Sequence, residues 1–194
     1  LIGSASGRFR YNSDETTANY TTALGSGVYA VYREAIAVSM STGSATMAYG
    51  DSLASITGTT TGLVNGDTAI YSISGRQNST SGNIKVGTYN LVDGGMAALG
   101  YTVTSSAGTL TVGQKTISIT GVVVANKEYD GGRTATVSNA GSVTGQISGD
   151  AVSVSSVTAV FDSKNVGTQT LTLSGGMLSG TDAANYTATI SATP

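Results

Sequence analysis

Cysteine, histidine and tryptophan are absent from these 194 residues, and proline occurs once. Without cysteine no disulfide or thiolate metal site can form, so packing and ladder hydrogen bonds alone must hold the fold. The lack of histidine removes the commonest general base and the commonest transition-metal ligand. Catalysis by a Ser-His-Asp or Cys-His arrangement is thereby excluded within the chain. Charge is also scarce: nine basic and eleven acidic residues leave a net charge of −2, which offers no electrostatic footprint for nucleic acid or an anionic membrane. No run of eighteen apolar residues occurs, so no segment reads as a membrane-spanning helix. Gly-rich stretches such as Gly131-Gly132 lack the Lys-Ser/Thr of a phosphate loop. Isolated aspartates without a Trp platform do not suggest a glycosidase pair either. The expectation is a chain that is not an enzyme and needs no cofactor.

What fills the sequence is Gly (27 residues), Ser and Thr beside 39% hydrophobic residues, which is not the composition of charged disorder. Short signatures recur about eighty residues apart. Asn19-Tyr20-Thr21, Gly100-Tyr101-Thr102 and Asn185-Tyr186-Thr187 stand 81 and 85 residues apart. Tyr49-Gly50-Asp51 and Tyr129-Asp130-Gly131 are separated by 80. In the same order follow Gly62 to Asp67 against Gly145 to Asp150, and Val86-Gly87-Thr88 against Val166-Gly167-Thr168. Such self-similarity is the signature of a tandem array, and the start at Leu1-Ile2-Gly3 fits an excised or processed fragment of something longer. The markers divide the chain into residues 1–34, the closing part of a preceding repeat, and complete units at 35–114 and 115–194. Pro194 is expected to begin a linker.

Strand-like alternation dominates. Ala69 to Ser74, Thr116 to Thr120, Val152 to Val154 and Thr170 to Ser174 place apolar residues at every second position. Val, Ile and Thr suit a pleated, half-buried surface. Residues 29–40 read as strand, because their apolar residues precede Tyr49 as those of 110–119 precede Tyr129. Asp93-Gly94-Gly95, Asp130-Gly131-Gly132, Asn65-Gly66-Asp67 and Ser174-Gly175-Gly176 read as turns. One helical turn is expected near Asp182 to Asn185, with Asp182 as N-cap.

The middle unit resembles the MBG type of tandem domain through Tyr49-Gly50-Asp51, Gly62 to Asp67, Val86 to Tyr89 and Gly108 to Val112. The last resembles the YDG type through Lys127 to Gly131, Gly149-Asp150, Lys164 to Thr168 and Leu178 to Tyr186. Both types are found in large Gram-negative surface adhesins related to filamentous haemagglutinin. Leu99-Gly100-Tyr101 stands where Asn-Tyr is usual, so a different local turn is expected there. The resemblance implies a structural module of an exported, extracellular adhesin with no catalytic residues to carry over.

Other features have plainer readings. Tyr129-Asp130-Gly131 suggests a sugar site less than a packed ring beside an Asp-Gly turn. Asp130, Asp150, Asp162 and Asp182 are candidates for a structural Ca²⁺ site, but each stands alone, whereas Ca²⁺ takes six to eight oxygens. Asn19, Asn78 and Asn185 match the N-glycosylation pattern, and only Asn78, in the polar insert 75–82, reads as an exposed acceptor. That insert reads as a tolerated surface loop rather than a binding loop. The repeat-marker residues Tyr49, Gly50, Asp67, Gly87, Tyr101, Tyr129, Asp130, Gly131, Asp150, Gly167, Asn185 and Tyr186 are expected to be structural.

The fold expectation is all-β: small antiparallel sandwiches of immunoglobulin-like type joined end to end in an elongated rod. A β-grasp module is the alternative, opposed by the lack of a ten-residue amphipathic helix. The functional expectation is a stalk or spacer segment of a secreted cell-surface adhesin serving adhesion or biofilm formation. Rival readings are a carbohydrate- or partner-binding module and a filament subunit completed by strand addition. Expected partners are neighbouring repeats of the same chain, with homotypic association or extracellular polysaccharide also in view.

Overall fold

Strands form where β-branched residues alternate with Ser or Thr, as a pleated surface with one buried face requires. The computed structural model describes residues 7–14, 16, 21–53, 58–96 and 98–190. They fall into two compact units: Leu1–Thr46, Ser52–Arg76 and Thr88–Thr111, and then Met47–Asp51, Gln77–Gly87 and Val112–Pro194. Two short segments that belong by sequence to the middle repeat therefore lie in the second unit.

Up to Gly113 the strands are β1 (Phe9–Arg10), β2 (Ala30–Val31), β3 (Ile36–Thr42), β4 (Ala45–Ala48), β5 (Gly58–Thr61), β6 (Ala69–Ser74), β7 (Gly87–Met96), β8 (Tyr101–Ser106) and β9 (Gly108–Gly113). One sheet has the order β5-β3-β8 and another β4-β9-β7-β6, while β1 and β2 pair in parallel. Alternation along β3 buries Val38, Met40 and Thr42, and Leu91 and Leu110 are buried on β7 and β9. Each buried Val, Leu or Met side chain is worth about 1.5–3 kcal/mol relative to exposure. Thr42 is tolerated there because its hydroxyl donates to the Leu91 carbonyl (2.9 Å) and accepts from the Gly108 amide (2.5 Å). Gly108 approaches so closely that a Cβ would lie 2.3 Å from the Gly43 carbonyl oxygen.

Beyond Gly113 the strands are β10 (Lys115–Thr120), β11 (Val123–Val124), β12 (Thr134–Ala135), β13 (Val137–Asn139), β14 (Ser142–Thr144), β15 (Ser153–Phe161), β16 (Leu171–Ser179) and β17 (Tyr186–Ile190). They make sheets of order β14-β10-β17, β12-β15-β16 and β11-β13. Ile117 and Ile119 on β10 and Val157 and Ala159 on β15 are buried. The first strand of each repeat sits between an antiparallel partner and a parallel one: β3 between β5 and β8, β10 between β14 and β17. Each parallel partner begins at the marker tyrosine, with Ile36 opposite Tyr101 and Lys115 opposite Tyr186.

The all-β, sandwich-type expectation holds, with one addition. A strictly antiparallel reading leaves out the β3–β8 and β10–β17 pairs. The strand reading of residues 29–40 corresponds to β2 and the start of β3. Two of the Gly-Gly pairs read as turns are instead β-bulges within strands. In β7, Ile70 faces Gly95 and Tyr71 faces Asp93, leaving Gly94 as the extra residue; in β16 the register shifts around Gly175-Gly176. A bulge and a turn both call for Gly in the left-handed region, so composition does not separate them. The helical turn appears as a 3₁₀ turn at Ala183–Asn185, but the Asp182 side chain does not cap it. Among the described residues no helix reaches the ten residues that a β-grasp needs, and none is long and apolar enough to cross a membrane.

Candidate functional site

The marker tyrosines Tyr49, Tyr101 and Tyr186 converge on two marker carboxylates, Asp67 and Asp150. In the first unit Asn65 and Gly66 take φ of 56° and 75°, a left-handed pair that Asn and Gly tolerate best. The turn they make presents Asp67, which is buried. Its Oδ2 accepts from the Tyr11 hydroxyl (2.9 Å) and the Tyr101 hydroxyl (2.8 Å), and its Oδ1 accepts from the Gly7 amide (3.3 Å). Asn65 Nδ2 donates to the Tyr11 hydroxyl at 2.9 Å. The two rings lie 4.6 Å apart, and Phe9 and Tyr32 stack on Tyr11 at 6.4 and 5.5 Å. Burial pushes both phenols above their ordinary pKa, and the Asp67 carboxylate, which accepts from the protonated form, pushes the same way.

The second unit repeats the device. Gly149, at φ 92°, lets the chain turn into Asp150, whose amide donates to the Ile147 carbonyl at 3.1 Å. Asp150 Oδ2 accepts from the hydroxyls of Tyr49 (2.6 Å) and Tyr186 (2.5 Å), and Oδ1 accepts from the Ser81 amide (3.2 Å). The Tyr186 hydroxyl also accepts from the Ile147 amide at 3.0 Å. The two rings meet edge to face at 5.2 Å. Tyr49 and Tyr186 are buried, and Tyr49 is held further by its amide on the Gly113 carbonyl (2.8 Å). Next to it, a Cβ on Gly50 would lie 2.2 Å from Ile147 Cδ1.

This clamp has two auxiliary anchors. Asp182, 1% exposed, accepts from the Thr80 amide (3.3 Å), the Thr80 hydroxyl and the Ala151 amide (2.9 Å). Asn185 Oδ1 accepts from the Val86 amide at 3.0 Å. Burial by itself would raise the pKa of both aspartates, but the hydrogen bonds they accept outweigh it and hold both below the ordinary carboxylate value. Burial, reinforced by the Asp150 acceptor, pushes the Tyr49 and Tyr186 phenols up.

The insert 75–82 therefore does not behave as a free surface loop: Thr80 and Ser81 are gripped by Asp182 and Asp150, and Ser79 is buried. Asn78 is exposed. Gly87 opens β7. Tyr129, expected to pack its ring, is 69% exposed. The turn beside it does form: Asp130 accepts from the Gly132 amide (2.8 Å) and pairs with Lys127 Nζ (2.8 Å), with Gly131 at φ 75°. Gly167 lies in an exposed loop at φ 121°. Asn19 and Tyr20 lie outside the described residues.

Of the four aspartates weighed for Ca²⁺, Asp150 and Asp182 accept from the donors just named, and Asp162 accepts from the hydroxyls of Thr170 (2.5 Å) and Thr172 (2.8 Å). Among the described residues no group of three or more His, Cys, Asp or Glu comes together. Tyr11 escapes sequence reasoning because it does not fall on the eighty-residue period. The pairing of Asp182 with the insert escapes because Thr80 lies 102 residues away from it. The chemistry on view is that of a mechanical clasp: a carboxylate acceptor holding phenols and amides from distant segments.

Fold and clasp together define a repeated all-β module. Residues 38–111 match the family model described as MBG domain (YGX type), and residues 113–194 match that described as YDG domain. These are repeat modules of surface proteins, and neither is known as an enzyme family. No curated protein and no solved structure matches the chain.

Proposed function

We propose that the chain is a stalk segment of a secreted bacterial surface adhesin, a spacer that carries a binding tip away from the cell in adhesion or biofilm formation. The observation that carries this reading is the duplication of the tyrosine–carboxylate clasp, in which a buried and a half-buried carboxylate hold segments 56 and 101 residues apart in sequence. Such long-range fixing stiffens a repeat array against local opening. No nucleophile–base pair accompanies it among the described residues.

Replacement in the full-length surface protein tests the reading. Residues 35–194 are exchanged for unrelated β-repeats of matched length, and cell adhesion is compared with that of a simple deletion. A spacer predicts adhesion restored by the exchange and reduced by the deletion. Adhesion lost in both cases sinks the stalk reading and favours a binding module. Small-angle scattering of the fragment adds a physical check, with an elongated monomer unchanged by chelator as the expected result.

A further inference from the structure

The middle and last repeats carry the same markers 80 residues apart, yet their surroundings differ. Tyr49 is 0% exposed and its counterpart Tyr129 is 69% exposed. Val86 is half-buried with its amide on Asn185, whereas its counterpart Val166 is 83% exposed. The Tyr129 hydroxyl has no partner among the described residues. Lys127, Tyr129, Asp130, Phe161, Val166 and Gly167 line a cavity of about 590 Å³. This is the edge of the last repeat that corresponds, marker for marker, to the edge of the middle repeat gripped by the Gly149-Asp150 loop.

We propose that the groove around Tyr129 seats the Gly-Asp loop of a further repeat following in the same polypeptide, with Tyr129 donating to its aspartate. The proposal rests on the reading of the chain as part of a tandem array. Sequence order points to a later loop as the occupant: Tyr11 precedes Asp67 by 56 residues, and Tyr49, the counterpart of Tyr129, precedes Asp150 by 101. A second copy of this chain does not fit as the occupant. Its Asp67 already accepts two phenols, and so does its Asp150. Recognition needs a carboxylate for the phenol, since a buried phenol without an acceptor is unfavourable, and an apolar contact for Val166.

The test extends the 194-residue chain at Pro194 with a copy of residues 115–194, which sets the copied Asp150 101 residues after Tyr129. Tyrosine nitration by tetranitromethane is followed peptide by peptide, with Tyr32, 43% exposed, as internal reference. Nitration of Tyr129 is expected to fall by about tenfold or more in the extended chain. Tyr129→Phe is expected to lower the melting temperature of the extended chain and leave that of the 194-residue chain unchanged. A second extension, with a copy of residues 35–114 carrying Asp67, gives an independent trial. Tyr129 as reactive in both extended chains as in the original overturns the proposal, and so does concentration-dependent protection in the original chain, which would assign the groove to a second copy. The stalk reading is decided separately by the adhesion exchange, so either can fail alone.

Discussion

The Asp67 and Asp150 clasps share one geometry and are reinforced by different means. Each places a buried or half-buried carboxylate after a Gly-containing turn and gives one oxygen to two phenols. Around Asp150 the reinforcement is polar: Asp182 and Asn185 hold Thr80, Ala151 and Val86. The corresponding sequence positions in the middle repeat are Ala97 and Gly100, which have no side chain able to accept. Around Asp67 the reinforcement is aromatic, with Phe9 and Tyr32 stacked on Tyr11. The carboxylate with its two tyrosines is thus the common working part. The supports around it are interchangeable, since a few hydrogen bonds or an aromatic stack each contribute about 0.5–1.5 kcal/mol per contact.

Removing a ring breaks this comparison most forcefully. Tyr49→Ala deletes a fully buried aromatic and is expected to destabilise by about 3–5 kcal/mol, while Tyr129→Ala at the corresponding but exposed position stays within about 0.5 kcal/mol. Urea unfolding of the two variants checks this; equal losses would mean that the two tyrosines are equivalent after all.

Changing the acceptor comes next. Asp150→Asn and Asp67→Asn replace a charged acceptor by a neutral one and are each expected to cost about 1–3 kcal/mol. A double-mutant cycle of Asp150→Asn with Tyr49→Phe should show a coupling of about 0.5–3 kcal/mol, as contacting residues do. Asp150→Asn with Tyr11→Phe should be additive, because those side chains belong to different clasps. Coupling in the second cycle would contradict the separation drawn between them.

Much of this was legible beforehand, for identifiable reasons. Alternation placed β6 at Ala69–Ser74 and the apolar positions of β10, because period-two burial is written directly in the residues. Recurrence singled out Asp67, Asp150, Tyr101 and Tyr186 as structural. What recurrence does not encode is pairing: Tyr49 with Asp150 is a contact 101 residues long, and no local pattern announces it. Tyr11 is off the period altogether. Asp182 looked like a cap or a cation ligand because its neighbours in sequence are a helical turn, whereas its hydrogen bonds run to Thr80 and Ala151. The Gly-Gly bulges were mistaken for turns because both use the same residue for the same backbone freedom.

Asn185→Gly sharpens the comparison by giving the last repeat the residue that the middle one has at Gly100. The Val86 amide loses its acceptor, and the expected cost is about 1 kcal/mol. Hydrogen exchange at Val86 should accelerate while exchange around Asp67 stays unchanged. A loss of several kcal/mol would show that the polar support is no auxiliary.

The smallest effect is expected from pH near neutrality, with a limit on either side. With no histidine, melting temperature should shift by less than about 2 °C between pH 5 and 8. On the acid side, Asp150 and Asp182 have folded pKa values below their unfolded ones. Their contribution is therefore present above about pH 4 and lost as pH falls through the lower folded values. On the alkaline side, the phenols of Tyr11, Tyr49, Tyr101 and Tyr186 have raised pKa values. Their contribution is complete below about pH 10 and lost as pH climbs toward the folded values. Acid loosening is expected around Asp150 and Asp182, and alkaline loosening at both clasps, each of which holds two such phenols. Exchange mass spectrometry at pH 3 and phenolate absorbance above pH 10 read the two limbs. Alkaline opening confined to one clasp would mean that the shared tyrosine pair does not carry equal weight in the two units.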